Sequence, residues 1–348
     1  MRIASVGRAL PEHYYDQDTL LREFTRVSGA GPQSVSRLET FYRNTLVGGR
    51  HLALPIEAYE GLASFDEAND AFIRCAVDLG AQAITDALER GGFEPHEIDH
   101  LFFVSVTGVA TPSIDARLVN RMGLRPDIRR TPIFGLGCVA GAAGISRTSD
   151  YLKAYPDHLA VLLSVELCSL TVQRRDLSVP NLIASGLFGD GAAAVVMTGN
   201  GREEIRPRVV ATRSVFYPDT EKVMGWRIGS KGFHIMLSGD VPKLAGSIRD
   251  DVDAFLADHD LRLDEVRSFV CHPGGPRVLE AFQETLELPR QAVALTWESL
   301  QQLGNLSSAS VLMVLRDTME QRPPPRGSYG LILAMGPGFC SEFVLIRW

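Results

Sequence analysis

The chain is poor in the features that would take it out of an ordinary reducing interior. Its 348 residues include only five cysteines, at 75, 138, 168, 271 and 340; the number is odd and no pair has C-x-x-C spacing. That argues against a disulfide framework and against the common zinc and dithiol motifs. No apolar run reaches the length that spans a bilayer. The opening MRIASVGRALPEHYYDQ lacks a basic segment followed by an apolar one, so no secretory signal is expected there. Excess positive charge is missing too: a net charge of −7 excludes a general nucleic-acid binder but leaves room for a local basic pocket. Together these absences predict a soluble cytoplasmic protein with free thiols, no membrane span and no nucleic-acid partner.

What is present is an alternation of helix-like and strand-like patterns in a chain that is 45% hydrophobic and 22% charged. Ala71–Arg90 has apolar residues at helical spacing and stops at Gly91-Gly92. LFFVSV (101–106), HLAVLLSVE (158–166) and YGLILAM (329–335) are short continuous apolar runs, as expected of strands covered on both faces. This predicts an α/β fold with mainly parallel strands inside. The chain also repeats itself. FEPHEIDHLFFVSVTG is echoed by LRLDEVRSFVCHPGG, PSIDARLVNRMGL by PRVLEAFQETLEL, GCVAGAAG by GNLSSASV, and HLAVLLSVE by YGLILAMGPG, in the same order. Two copies of one α/β unit are implied, divided as 1–200 and 201–348. The alignment sets Cys138 opposite Asn305 and His272 opposite Val104. Sites in open α/β sheets lie at the carboxyl ends of strands, so these positions are expected to face one pocket.

Cys138 stands in GLGCVAGAAG, where seven of ten residues are Gly or Ala. A helix starting near Cys138 places free N–H groups and the positive end of the dipole at the sulfur, which favours thiolate, the nucleophilic form. Gly137 permits a sharp turn, and Gly141 to Gly144 permit close packing against the similarly small SSAS of the other copy. The plain alternative is a tight helix contact with cysteine as a small hydrophobe. His272, between a buried strand and Pro-Gly-Gly, is suited to taking and returning protons. Asn305 offers an amide that donates without titrating, suited to an oxyanion, and equally suits a helix N-cap. His96-Glu97-Ile98-Asp99-His100 matches the HExxH zinc pattern, yet Pro95 and the strand at Leu101 argue against the continuous helix it needs. The glycines at 135, 137 and 141 form only a loosened dinucleotide fingerprint.

Cys138 in GLGCVAGAAG, His272 in HPGGP, Asn305 in GNLSSAS and the late MGPGF (335–339) together resemble the chalcone/stilbene synthase family, the type III polyketide synthases. The resemblance runs in order along essentially the whole chain. It implies a thiolase-like αβαβα fold of two pseudo-twofold-related repeats, a homodimer, and a Cys138–His272–Asn305 triad needing no cofactor and no metal. It further implies gatekeeper phenylalanines at Phe188 and Phe233, and a cyclisation loop at Gly336, Pro337 and Gly338. Other pocket positions are Cys168, Thr171 and Ser307, with Thr111 in the dimer loop. CoA contacts are expected at Arg43, Arg50, Gly274 and Arg277. The implied reaction is iterative decarboxylative Claisen condensation of malonyl-CoA onto a Cys-bound acyl group from an acyl-CoA, followed by cyclisation. Thr111 and Cys168 depart from the plant pattern, and the chain looks more like bacterial members acting on medium or long fatty acyl starters to give alkylpyrones or alkylresorcinols. An initiating β-ketoacyl-acyl-carrier-protein synthase and an acyl-CoA thioester hydrolase are the alternatives. A non-catalytic acyl-binding protein is a third.

Overall fold

A computed structural model of the chain describes residues 1–200 and 207–348; the expected boundary between the two copies abuts 201–206, which lie outside the described residues. Nine strands form one mixed sheet. Their spatial order is Val266–Cys271, Tyr329–Gly336, Cys340–Arg347, Arg208–Phe216, Arg2–Ala9, Asp190–Thr198, Leu159–Leu167, Ile98–Ser105 and Arg129–Phe134. Arg208–Phe216 and Arg2–Ala9 meet at the centre through Arg2 and Arg208. On either side the order repeats outward, ending in matched parallel pairs: Val266–Cys271 with Tyr329–Gly336, and Ile98–Ser105 with Leu159–Leu167.

The sheet corrects one expectation. Only the pairs at its two ends are parallel, and the four central junctions together with the Tyr329–Gly336/Cys340–Arg347 pair are antiparallel. A continuous apolar run reports that both faces of a strand are covered and carries no direction. Here both faces are covered throughout. The helices Ala140–Ala154 and Ser310–Gln321 lie in the middle, and their apolar residues join Ile3, Phe102, Leu162, Ile332 and Val344 in one core spanning both halves. The helix Phe65–Gly91 covers the other face of the first half, its Leu79 and Ile84 sharing a core with Leu101 and Leu163 of the strands. Arg249–Ala257 and Pro276–Thr285 do the same for the second. With the two halves of the sheet counted separately, the order is helix, sheet, helix, sheet, helix, as the repeat predicts.

The Phe65–Gly91 helix starts earlier than the periodicity indicates because Ser64 and Glu67 form a reciprocal capping box, and Gly92 ends it at φ 71°. Two helices outside the layers, Gln17–Ser28 and Pro32–Asn44, pack Leu20, Phe24, Leu38 and Tyr42 into a separate cap with Leu52 and Leu182. No helix among the described residues is long and apolar enough to cross a membrane.

Candidate active site

The strand Arg129–Phe134 ends directly before the turn that carries Cys138. Gly135 at φ 101° and Gly137 at φ 58° reverse the chain, a single 3-10 turn covers Gly137–Val139, and the α-helix begins at Ala140. Small residues are required here by contact. A Cβ on Gly141 would sit 2.3 Å from the Ser308 carbonyl oxygen, and one on Gly137 would sit 2.6 Å from Pro337 Cδ. The second half builds the same turn, with Ser307 at φ 48°, a 3-10 turn Ser307–Ala309 and a helix from Ser310. This register sets Gly137 opposite Ser307 and Cys138 opposite Ser308. Asn305 lies three residues earlier, so the sequence pairing of Cys138 with Asn305 is corrected. Matching glycine to glycine pairs Gly304 with Gly137, whereas the left-handed position is filled by Ser307.

Cys138, His272 and Asn305 are nonetheless joined through short contacts. Cys138 Sγ donates to Ser307 Oγ at 3.6 Å, and Ser307 N donates to Asn305 Oδ1 at 2.8 Å. Asn305 Nδ2 donates to the Gly274 carbonyl at 3.3 Å, and Gly274 N donates to the His272 carbonyl at 2.9 Å. All three side chains are buried. Asn305 thus caps the turn with its oxygen while its nitrogen, a double donor, makes one long bond and keeps another N–H for a ligand. Neither ring nitrogen of His272 has a hydrogen-bond partner among the described residues. A buried imidazole so left is set to bond something that enters the pocket.

Burial pushes the Cys138 thiol up to about 12; the Ser307 hydrogen bond opposes this and the nearby Glu166 adds to it. The same desolvation drives His272 down to about 3. Both shifts favour the neutral thiol and the neutral imidazole, burial acting against the thiolate that the helix terminus favours. A neutral imidazole is the form that accepts a proton.

Phe188 pairs with Asn305 in a parallel bridge, with Asn305 N on the Leu187 carbonyl at 2.9 Å and Gly189 N on the Asn305 carbonyl at 3.0 Å. Cys168 and Thr171 are buried on a 3-10 turn, Thr171 Oγ1 donating to the Cys168 carbonyl at 2.7 Å. Gln173 ties this turn to the hairpin Met224–Gly229/Gly232–Leu237 by donating to the Phe233 carbonyl at 3.0 Å, and the Phe233 ring packs edge-on against Phe65. Gly336 leaves no room for a Cβ against Leu136 and Val139, so the Gly336-Pro337-Gly338 loop closes on the Cys138 turn. Thr111 is exposed on a surface loop, and Arg43 and Arg277 are exposed on helices. Arg50 is different. It is 3% exposed, with Nη1 donating to the Phe188 carbonyl at 2.7 Å, which removes it from any surface contact with a diphosphate. His96 lies in the 3-10 turn Pro95–Glu97 and His100 lies in the following strand, so the two never share a helical face.

Glu166 was not singled out from the sequence. Its carboxylate, wholly buried, accepts from Ser308 Oγ at 2.5 Å, Thr107 Oγ1 at 2.9 Å and Val106 N at 3.1 Å. An acid inside the apolar run HLAVLLSVE was the available signal.

The chalcone and stilbene synthase N-terminal domain matches residues 1–201 and the C-terminal domain residues 208–348. The chain therefore belongs to the chalcone and stilbene synthase family. It is a type III polyketide synthase, a condensing acyltransferase with a thiolase-like fold. A 1,3,6,8-tetrahydroxynaphthalene synthase of Streptomyces peucetius is 50% identical, across 99% of this chain and 93% of that protein. A 3,5-dihydroxyphenylacetyl-CoA synthase of Amycolatopsis orientalis is 32% identical, across 100% of this chain and 93% of that protein. Among solved structures, the tetrahydroxynaphthalene synthase of Streptomyces coelicolor A3(2) superposes with a TM-score of 0.95 at 32% identity, across 100% of this chain and 99% of that one.

Proposed function

We propose that Cys138, His272 and Asn305 carry out the condensation. Cys138 attacks the carbonyl of a CoA thioester while His272 takes the thiol proton; CoA leaves and an acyl-cysteine remains. Malonyl-CoA then loses carbon dioxide, its enolate oxygen held by the free Asn305 N–H and by protonated His272. The carbanion attacks the acyl-cysteine, and the lengthened chain is loaded again until it cyclises against the Gly336–Gly338 loop. The observation that carries this reading is the linked set Cys138–Ser307–Asn305–Gly274–His272 with His272 left unpaired.

For the substrate, likeness to tetrahydroxynaphthalene synthases supports malonyl-CoA as both starter and extender: ten ring carbons equal five two-carbon units. The fatty acyl starter, and with it an alkylpyrone or alkylresorcinol, is the second reading; Cys168 beside Thr171 in the buried wall favours it over an aromatic starter. We further propose that the chain works as a cytoplasmic homodimer with Thr111 reaching the partner, that the copies divide near residue 200, and that Arg43, Gly274 and Arg277 meet CoA. Incubation with malonyl-CoA, alone and with acetyl- to stearoyl-CoA and coumaroyl-CoA, tests this. A naphthalene tetrol from malonyl-CoA alone, absent with Cys138→Ala, is expected. Alkylated products only with fatty acyl-CoA select the second reading, and free acid without condensation makes the protein a hydrolase.

A further inference from the structure

A cavity of about 740 Å³ lies next to the site, and none of Cys138, His272 and Asn305 lines it. The cap helices bound it on one side and residues 169–175 on the other. About half of its wall is apolar, with Phe24, Leu52, Ile56 and Leu170 among the lining residues, and its volume suits a small organic molecule. Arg50 lines it as well. This guanidinium is almost wholly buried, and its Nε has no hydrogen-bond partner. No ion pair forms at it among the described residues, because Asp190 spends its carboxylate on Ser169 and Ala53 N. At the mouth, Glu23 and Glu60 are both engaged by Arg26, whereas Arg175 and Lys231 are exposed. Asp190 acts on the guanidinium from a distance and Tyr42 faces it at 5.8 Å, yet neither takes the Nε–H; an unsatisfied buried donor is costly, and an anion entering past Arg175 and Lys231 relieves it.

We propose that this cavity binds a medium-chain aliphatic carboxylate, its head group on Arg50 and its chain along Phe24, Leu52, Ile56 and Leu170. The site is coupled to the condensation. Arg50 Nη1 holds the Phe188 carbonyl at 2.7 Å, and Phe188 bridges Asn305. A carboxylate on the guanidinium competes for that bond and loosens the strand that fixes Asn305. Occupancy slows turnover without displacing malonyl-CoA. The coupling rests on the function proposed above; the binding does not.

Calorimetry on Cys138→Ala protein, which separates binding from turnover, uses decanoate, decanol and decyltrimethylammonium as probes. Decanoate is expected to bind about tenfold or more tightly than either of the others. Val27→Trp, which projects an indole into the cavity, is expected to weaken decanoate about tenfold while circular dichroism stays native. With wild-type enzyme, decanoate is expected to inhibit noncompetitively against malonyl-CoA. Equal binding of decanoate and decanol, or no binding, overturns the site, and the decanol comparison decides this even where Val27→Trp does not fold. Competitive inhibition indifferent to Val27→Trp places decanoate in the Cys138 pocket and likewise overturns it. Tight decanoate binding without inhibition, in an enzyme that condenses malonyl units, overturns the coupling alone.

Discussion

Gly137 and Ser307 occupy the same place in the two halves of the molecule, each in the left-handed region, at φ 58° and 48°, as the first residue of a buried 3-10 turn. In the first half this puts a thiol at the next position; in the second it lets the side chain of the strained residue itself reach that thiol at 3.6 Å. The repeat is therefore used asymmetrically, one copy supplying the thiol and the other its hydrogen-bond acceptor.

Opposite outcomes are expected from exchanging these residues. Gly137→Ala places a Cβ 2.6 Å from Pro337 Cδ in a left-handed backbone, and should lower stability by about 2 kcal/mol or more. Ser307→Gly relieves the backbone and should change stability by less than about 1 kcal/mol, yet lower kcat severalfold by removing the thiol's partner. Urea denaturation and steady-state kinetics on the two variants read both effects.

Glu166 contributes to holding the Cys138 thiol in its neutral form. Glu166→Gln removes that negative charge, so the thiol should titrate lower and iodoacetamide should modify Cys138 roughly three- to tenfold faster at pH 8. An unchanged rate means that the carboxyl is already neutral there.

Buried His272 gives an acid-side stability loss. Its folded pKa of about 3 lies below the ordinary value of 6.5. Between these values the unfolded chain binds the proton more readily, so this group's stabilisation is complete above pH 6.5 and declines as pH falls towards 3. Asp190 works in the other direction. Burial raises it to about 6 from 3.8, so its contribution is present below 3.8 and is lost as pH rises through 6. Denaturation of His272→Gln between pH 4 and 7 should show a flatter acid-side fall than wild type, and Asp190→Asn a steeper one.

His272→Gln should also lower kcat/KM by about two to four orders of magnitude, the usual cost of losing a general base. Asn305→Ala should reduce malonyl-CoA decarboxylation while leaving Cys138 able to take the acyl group. Separate assays of acyl transfer and carbon dioxide release distinguish the two.

Much of this site is legible in the sequence because its residues sit in local contexts that require them. Glycines at turns and a histidine before Pro-Gly-Gly each announce a strand end, and Gly304 before Asn305 announces a helix end. What the sequence hides is joined over long separations. Glu166 meets Ser308 across 142 positions, and Arg50 meets the Phe188 carbonyl across 138; nothing near either residue specifies its partner. Strand direction was hidden for a different reason, since burial on both faces leaves the same apolar run in parallel and antiparallel neighbours. The register between copies slipped because glycine was matched to glycine, where backbone conformation matches Gly137 to a serine.

The most direct measurement is rapid-quench mass spectrometry of the enzyme mixed with malonyl-CoA labelled at the carbon that is retained. The account predicts a labelled thioester on the peptide containing Cys138, growing by two-carbon keto units, with carbon dioxide released in step. Condensed product formed by Cys138→Ala, or label carried on another residue, contradicts it.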